Sequence, residues 1–286
     1  MSLQSKFQFI AAGLVAYALG TLALALFFAN TTYTPATLGS ISGSTKLPDM
    51  RSIDDIPTRK QTFIQLIAPM TVQKNNALLE VRELLLGMLD ELAAGKTLSH
   101  VQEQQLQRLT SRYKIKVSKS ADKGSNQDLT HTQQIKRLLT RVDIIPASMV
   151  VAQAAAESGW GTSRFARQAQ NLFGQWCYTK GCGLVPKRRS KGATHEVQKF
   201  SGVEQAVNAY YHNINTHRTY SDVRARRAAL RNAGTPITGP ALIPGLTGYS
   251  SRGQVYVDEL AELIRYNKLS VLDQEPALGD TASKEG

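Results

Sequence analysis

Glu157 is the residue in this sequence best placed to do acid–base chemistry. It closes an apolar run, Ala154-Ala155-Ala156, and is followed by Ser158-Gly159-Trp160-Gly161. A carboxyl at the end of an apolar helix, beside a tryptophan, is partly desolvated, and that raises its pKa. Protonated near neutral pH, it could hand a proton to a leaving oxygen. Gly159 and Gly161 let the backbone approach a ligand closely, and Trp160 offers a flat surface. A plainer reading competes: the carboxylate only hydrogen-bonds the turn that follows it.

Other constellations carry less. Cys177 and Cys182, the two cysteines of the chain, enclose four residues and could close a small loop. With no further Cys or nearby His to complete a tetrahedron, a disulfide is favoured over zinc. His212 and His217 are five apart and do not share a helix face, and Ser158 lacks partners for a triad. Nothing here implies a metal or a cofactor. Tyr210, Tyr211 and Tyr220 could stack on sugars, although helical spacing makes Tyr210 a core candidate. The basic run 187–191 is either a solvated loop or a contact for peptide carboxylates.

Several elements must position these groups. Apolar spacing predicts a helix over 60–94, from Phe63 and Ile67 through Leu85 and Leu92, split by Pro69 and ended by Gly95. Ser99 with Gln102, and Thr130 with Gln133, are capping boxes that start helices running to about Tyr113 and Val142. The segment 146–157 is apolar nearly all round and should be buried. Residues 175–200 lack helical period and suggest a short β-hairpin or lobe. Helices resume at 203–215, 219–232 and 254–267, and the last sixteen residues read as disordered.

The chain has 34 Lys and Arg against 22 Asp and Glu, a formal +12 that suggests a polyanionic partner. Residues 7–29 carry no charge and are long enough to cross a bilayer. Lys6 precedes them and the next charge is Lys46, so the positive-inside rule puts the body of the protein outside the cytoplasm. The stretch exceeds the usual core of a cleaved signal peptide, so a retained anchor is expected. Export removes nucleic acid from the partners.

Residues 152–174, AQAAAESGWGTSRFARQAQNLFG, closely resemble the central motif of the bacterial glucosaminidases of glycoside hydrolase family seventy-three, which includes flagellar enzymes and cell-separation autolysins. The segments 199–220 and 246–269 match further motifs in order. The block from Asn171 to Pro186 looks most like the exported Bax-type subgroup. The resemblance implies an α+β, mostly helical, lysozyme-like catalytic domain with a small β-lobe. It implies cleavage of the β-1,4 bond after N-acetylglucosamine in peptidoglycan. By motif position Glu157 is the catalytic acid and Tyr220 the tyrosine across from it. Asn171, Phe173 and Tyr249 match positions that line or support the groove, and Trp160, from its place after Glu157, is a further substrate-binding candidate.

The expected organisation is a membrane anchor (1–30), a spacer (31–59), a helical module (60–115), a linker (116–129), the catalytic domain (130–270) and a tail (271–286). The anchor implies a single pass through the cytoplasmic membrane, with the catalytic domain facing the periplasm or cell exterior. The sequence gives no oligomeric state.

The sequence departs from the family in one respect. Many members supply a second carboxylate from the β-lobe, yet 158–195 contains no Asp or Glu, and the first is Glu196. Either Glu196 is that group, or the substrate's own 2-acetamido group attacks the anomeric carbon. A lytic transglycosylase and a non-catalytic glycan-binding protein are the rival functions. Residues 158–231 hold 13 basic and 3 acidic residues, so most of the excess charge falls where an anionic glycan would dock. Binding should then weaken as salt rises.

Overall fold

The computed structural model describes residues 42–116, 129–187, 189 and 192–273. The expected anchor, most of the linker at 116–129 and the tail beyond Asp273 lie outside the described residues. Among those described, no helix is long and apolar enough to cross a membrane.

A long helix, α1 (Ile56–Ala93), forms the spine. Asp55 caps it, accepting from the Thr58 amide at 2.8 Å, and Pro57 fits the first turn, where its missing N–H is not needed. Pro69 does not split it, contrary to the sequence reading. Phe63, Ile67 and Met70 on one side, and Leu78, Val81 and Leu85 on the other, are buried along the same stripe. Tertiary packing therefore carries the helix through the lost hydrogen bond. The helices α2 (His100–Arg112) and α3 (His131–Leu139) begin at the two expected capping boxes. α1 packs along α3, and α2 packs on α3 as well.

At the centre lies α4 (Ala147–Ser158), in which only Ala156 and Glu157 escape full burial. It touches α1, α9 (Gln254–Tyr266), the short α8 (Gly239–Leu242) and a closing turn, Leu269–Asp273. That turn corrects the expected start of the tail. Asp273 accepts from the Ser148 amide and hydroxyl and from the Gly239 amide, so the folded chain continues to Asp273. After α5 (Arg164–Ala169) comes a small antiparallel lobe of three strands. These are β1 (Trp176–Cys177), β2 (Gly183–Leu184) and the central β3 (Glu196–Gln198). Trp176 pairs with Val197, Cys177 with Glu196, and Leu184 with Val197. The helices α6 (Val203–Thr216) and α7 (Ser221–Asn232) follow.

Residues 42–55 are a strap rather than a loose spacer. Val203 donates its amide to Thr45 O at 2.9 Å, Leu47 donates to the Gln170 side chain at 2.6 Å, and the Thr45 hydroxyl donates to Glu204. Leu47 and Met50 are buried.

The charge excess also needs correction. Arg227 is fully buried and donates to the Asp143, Ile144 and Thr140 carbonyls and to Asn215. Arg231 grips Asp143 with two bonds, at 2.8 and 2.5 Å, and Arg82 stands 3.4 Å from the same carboxylate. Arg224 is buried on the carbonyls of Ile214 and His217. Part of the positive charge of 158–231 thus holds the bundle together.

Candidate active site

Glu157 stands on the last turn of α4, half-buried, where the helix runs into three successive left-handed residues. Gly159, Trp160 and Gly161 have φ of 56°, 54° and 80°. Ser158 clamps this turn, donating to Ala154 O and accepting from the Gly161 amide at 2.9 Å. Gly161 has no room for a side chain, since a Cβ there would meet Met50 at 2.7 Å. The turn therefore ends the helix on the carboxylate and sends the chain sharply away.

A directed chain of hydrogen bonds reaches Glu157 from the core. Tyr210 donates to Gln153 Oε1 at 2.5 Å, Gln153 Nε2 donates to the Tyr256 oxygen at 3.2 Å, and Tyr256 donates to Glu157 Oε1 at 2.8 Å. Gln153 and Glu157 share a face of α4 because they are four residues apart. Tyr256 arrives from the first turn of α9. Burial, then the charge of Glu157, push its hydroxyl far above the usual phenol range, so it stays a donor at any working pH. Burial likewise raises the Glu157 carboxyl, opposed less strongly by the Tyr256 bond and the charge of Arg252. Its other oxygen faces Gly174, where an added Cβ would lie 3.5 Å away.

Aromatic rings brace this chain. Tyr249 stacks parallel to Tyr256 with centroids 5.4 Å apart and donates to Phe173 O at 2.9 Å. Phe173 in turn stacks on Tyr210 at 4.2 Å, and Tyr220 packs on Tyr249 at 5.8 Å. Asn171 fixes the loop beneath them. Its amide donates to the Gln175 and Gln198 carbonyls, and its oxygen accepts from the Phe173 and Gln175 amides. The site is thus a half-buried acid with one oxygen held by a phenol and the other open beside a glycine.

Residues 132–269 match the family model for glucosaminidases, described as mannosyl-glycoprotein endo-beta-N-acetylglucosaminidase. The protein Bax of Escherichia coli (strain K12) is 36% identical over 225 residues, covering 79% of this chain and 76% of that protein. This chain belongs to the Bax-type glucosaminidase family. No solved structure gives a significant match. As a family glucosaminidase the protein is a glycoside hydrolase.

Within this glucosaminidase the singled-out residues separate. Glu157, Phe173 and Tyr249 gather at one place, with Asn171 supporting them. Tyr220 lies at the edge of the cluster, hydrogen-bonded with Asn213, its hydroxyl pushed up by burial. The tyrosine bonded to Glu157 is Tyr256, which the sequence reading passed over inside the 246–269 motif. Trp160 turns to α1, edge-on to Phe63 at 5.7 Å and under Lys60 at 5.1 Å. Glu196 accepts the Gly181 amide on one oxygen, at 3.0 Å, and the Gly183 amide on the other, at 2.8 Å. Those two bonds hold its carboxyl below the ordinary value. Cys177 and Cys182 form the disulfide beside it, so their sulfurs are not thiolate ligands.

A separate surface cavity of about 670 Å³ is lined by Ile144, Arg231, Pro236, Ile237 and Asp273. Its charged groups are already engaged, Arg231 by Asp143 and Asp273 by Ser148 and Gly239. That leaves it no group poised for proton transfer.

Proposed function

We propose that the protein is an endo-β-N-acetylglucosaminidase of peptidoglycan, cutting the β-1,4 bond after N-acetylglucosamine with Glu157 as general acid. The observation that carries this reading is the environment of Glu157. Its carboxyl is raised by burial, held on one oxygen by Tyr256 and left open on the other. In the first step the substrate's acetamido oxygen attacks the anomeric carbon, and the Glu157 proton passes to the departing sugar oxygen. The resulting carboxylate then takes a proton from water as the water adds to the anomeric carbon. Two inversions give net retention.

Engagement of both Glu196 oxygens by lobe amides supports this route over one needing a second carboxylate. Tyr220, beside Tyr249, is placed in this reading to orient the acetamide or the leaving group. Residues 1–30 are read as a single-pass anchor in the cytoplasmic membrane, with the catalytic unit outside. Digestion of purified peptidoglycan followed by reduction of the new ends tests the reaction. Reduced N-acetylglucosamine is the expected product. Anhydromuramyl ends would assign the single acid to a lytic transglycosylase instead, and no new ends would leave a glycan-binding protein.

A further inference from the structure

The β-lobe carries an aromatic surface that the Glu157 chemistry does not use. Trp176 is 55% exposed, a large value for an indole on a strand pinned by a disulfide. His195 stacks flat on one side of it, with centroids 4.0 Å apart and planes 14° apart. Pairing of Trp176 with Val197 puts residues 176, 195 and 197 on one face of the sheet, and Cys177 and Glu196 on the other. One face is therefore the lobe's brace: the disulfide, and Glu196 bonded to the Gly181 and Gly183 amides. The other presents a rigid, half-open aromatic plate.

The plate is close to the acid. Gly174 abuts Glu157 Oε2, and two residues of chain span at most about 7 Å, so the Trp176 backbone lies within about 12 Å of the carboxylate. Arg189 adds a cation beside His195, donating to the carbonyls of His195 and Thr194 at 3.1 and 3.5 Å, with its charge also felt by Glu196. An aromatic plate beside a cation, continuous with a glycosidic acid, matches an aminosugar ring bearing a carboxylated substituent.

We propose that the Trp176–His195 pair is a sugar-stacking subsite that grips the glycan strand one or two residues from the bond being cut, with Arg189 facing the strand's carboxylates. This rests on Glu157 being the acid. The open side of the indole takes the apolar face of the ring, and His195 behind it keeps the plate from turning. Because the plate rides on the β-lobe rather than on the helical core, it sets affinity for the strand and leaves the proton transfer to the Glu157 cluster.

The test uses full-length protein in detergent and purified, solubilised glycan strands. Trp176→Leu, which keeps apolar bulk without a ring, should weaken binding about tenfold in a Glu157→Gln background. In the Glu157 enzyme its loss should fall on KM rather than kcat. Trp176→Phe should stay within about threefold of the parent. A third measurement does not depend on either variant folding. In Trp160→Phe protein, Trp176 is the remaining tryptophan, and its emission should shift to the blue as strands bind. Parent-like affinity in Trp176→Leu, or unchanged emission at saturating strand, overturns the subsite. Persistent hydrolysis by Glu157→Gln would overturn the assignment of the acid instead.

Discussion

Asp143 lies just before α4 and Glu157 near its far end, separated by about 15 Å of helix. Asp143 is surrounded by cations: Arg231 at 2.5 Å, Arg82 at 3.4 Å and Arg227 at 3.9 Å. Glu157 is surrounded by phenols, and Arg252, the cation among the described residues whose charge reaches it, is salt-bridged to Glu259. A buried carboxylate bracketed by three arginines serves as a structural pin. One clothed in tyrosines keeps its proton into higher pH and can deliver it. The difference between structural and chemical acid here lies in the partners, since both are substantially withdrawn from water.

The strongest way to sharpen this contrast is to remove each charge. Glu157→Gln should lower the release of new reducing ends by about 10²- to 10⁴-fold, the range for a lost general acid. Its urea midpoint at pH 7 should equal or exceed that of the parent, because a partly desolvated charge has gone. Asp143→Ala should do the reverse, costing about 3–5 kcal/mol in urea unfolding by stranding buried arginines. Activity per folded molecule should survive there. Equal stability losses at the two positions would break the comparison.

Tyr256→Phe comes next. Without the donor on Oε1 the Glu157 carboxyl rises further, so the alkaline limb of kcat should move to higher pH. kcat itself should fall about tenfold or more, as expected for a lost bond to a charged group. The smallest effect is on stability. Native protein holds the Glu157 proton to higher pH than unfolded chain, so it binds more protons in the window above the ordinary carboxyl value. Stability should therefore decline as pH rises through that window, and Glu157→Gln should remove the slope. A slope of the opposite sign would mean that Tyr256 and Arg252 outweigh burial.

Much of the scaffold was legible from local signals. Both capping boxes, the buried helix that carries Glu157 and the disulfide-closed loop follow from short-range spacing. The span of α1 across Pro69 was not legible, because the packing that outweighs the proline comes from residues far along the chain. At the site, Glu157 and the Asn171 loop could be read. Tyr256 could not be distinguished from a core aromatic without knowing that α9 crosses the end of α4. A local cue for the chain did exist: Gln153 lies four residues before Glu157 in a run otherwise made of alanine, and a buried amide there needs partners. The contact of the Trp160 ring with α1 was not legible, because it depends on the left-handed backbone at 159–161.

The strap also gives the molecule a load path. Tension applied at residue 42 enters the fold at Thr45, where it meets Glu204 and Val203 on α6. It continues through Leu47 to Gln170, and then to Met50, seated over Gly161. Gly161 is four residues from Glu157 on the turn that ends α4. A pull on the N-terminal side is thus shared between α6 and the turn that carries Glu157, with α6 loaded first.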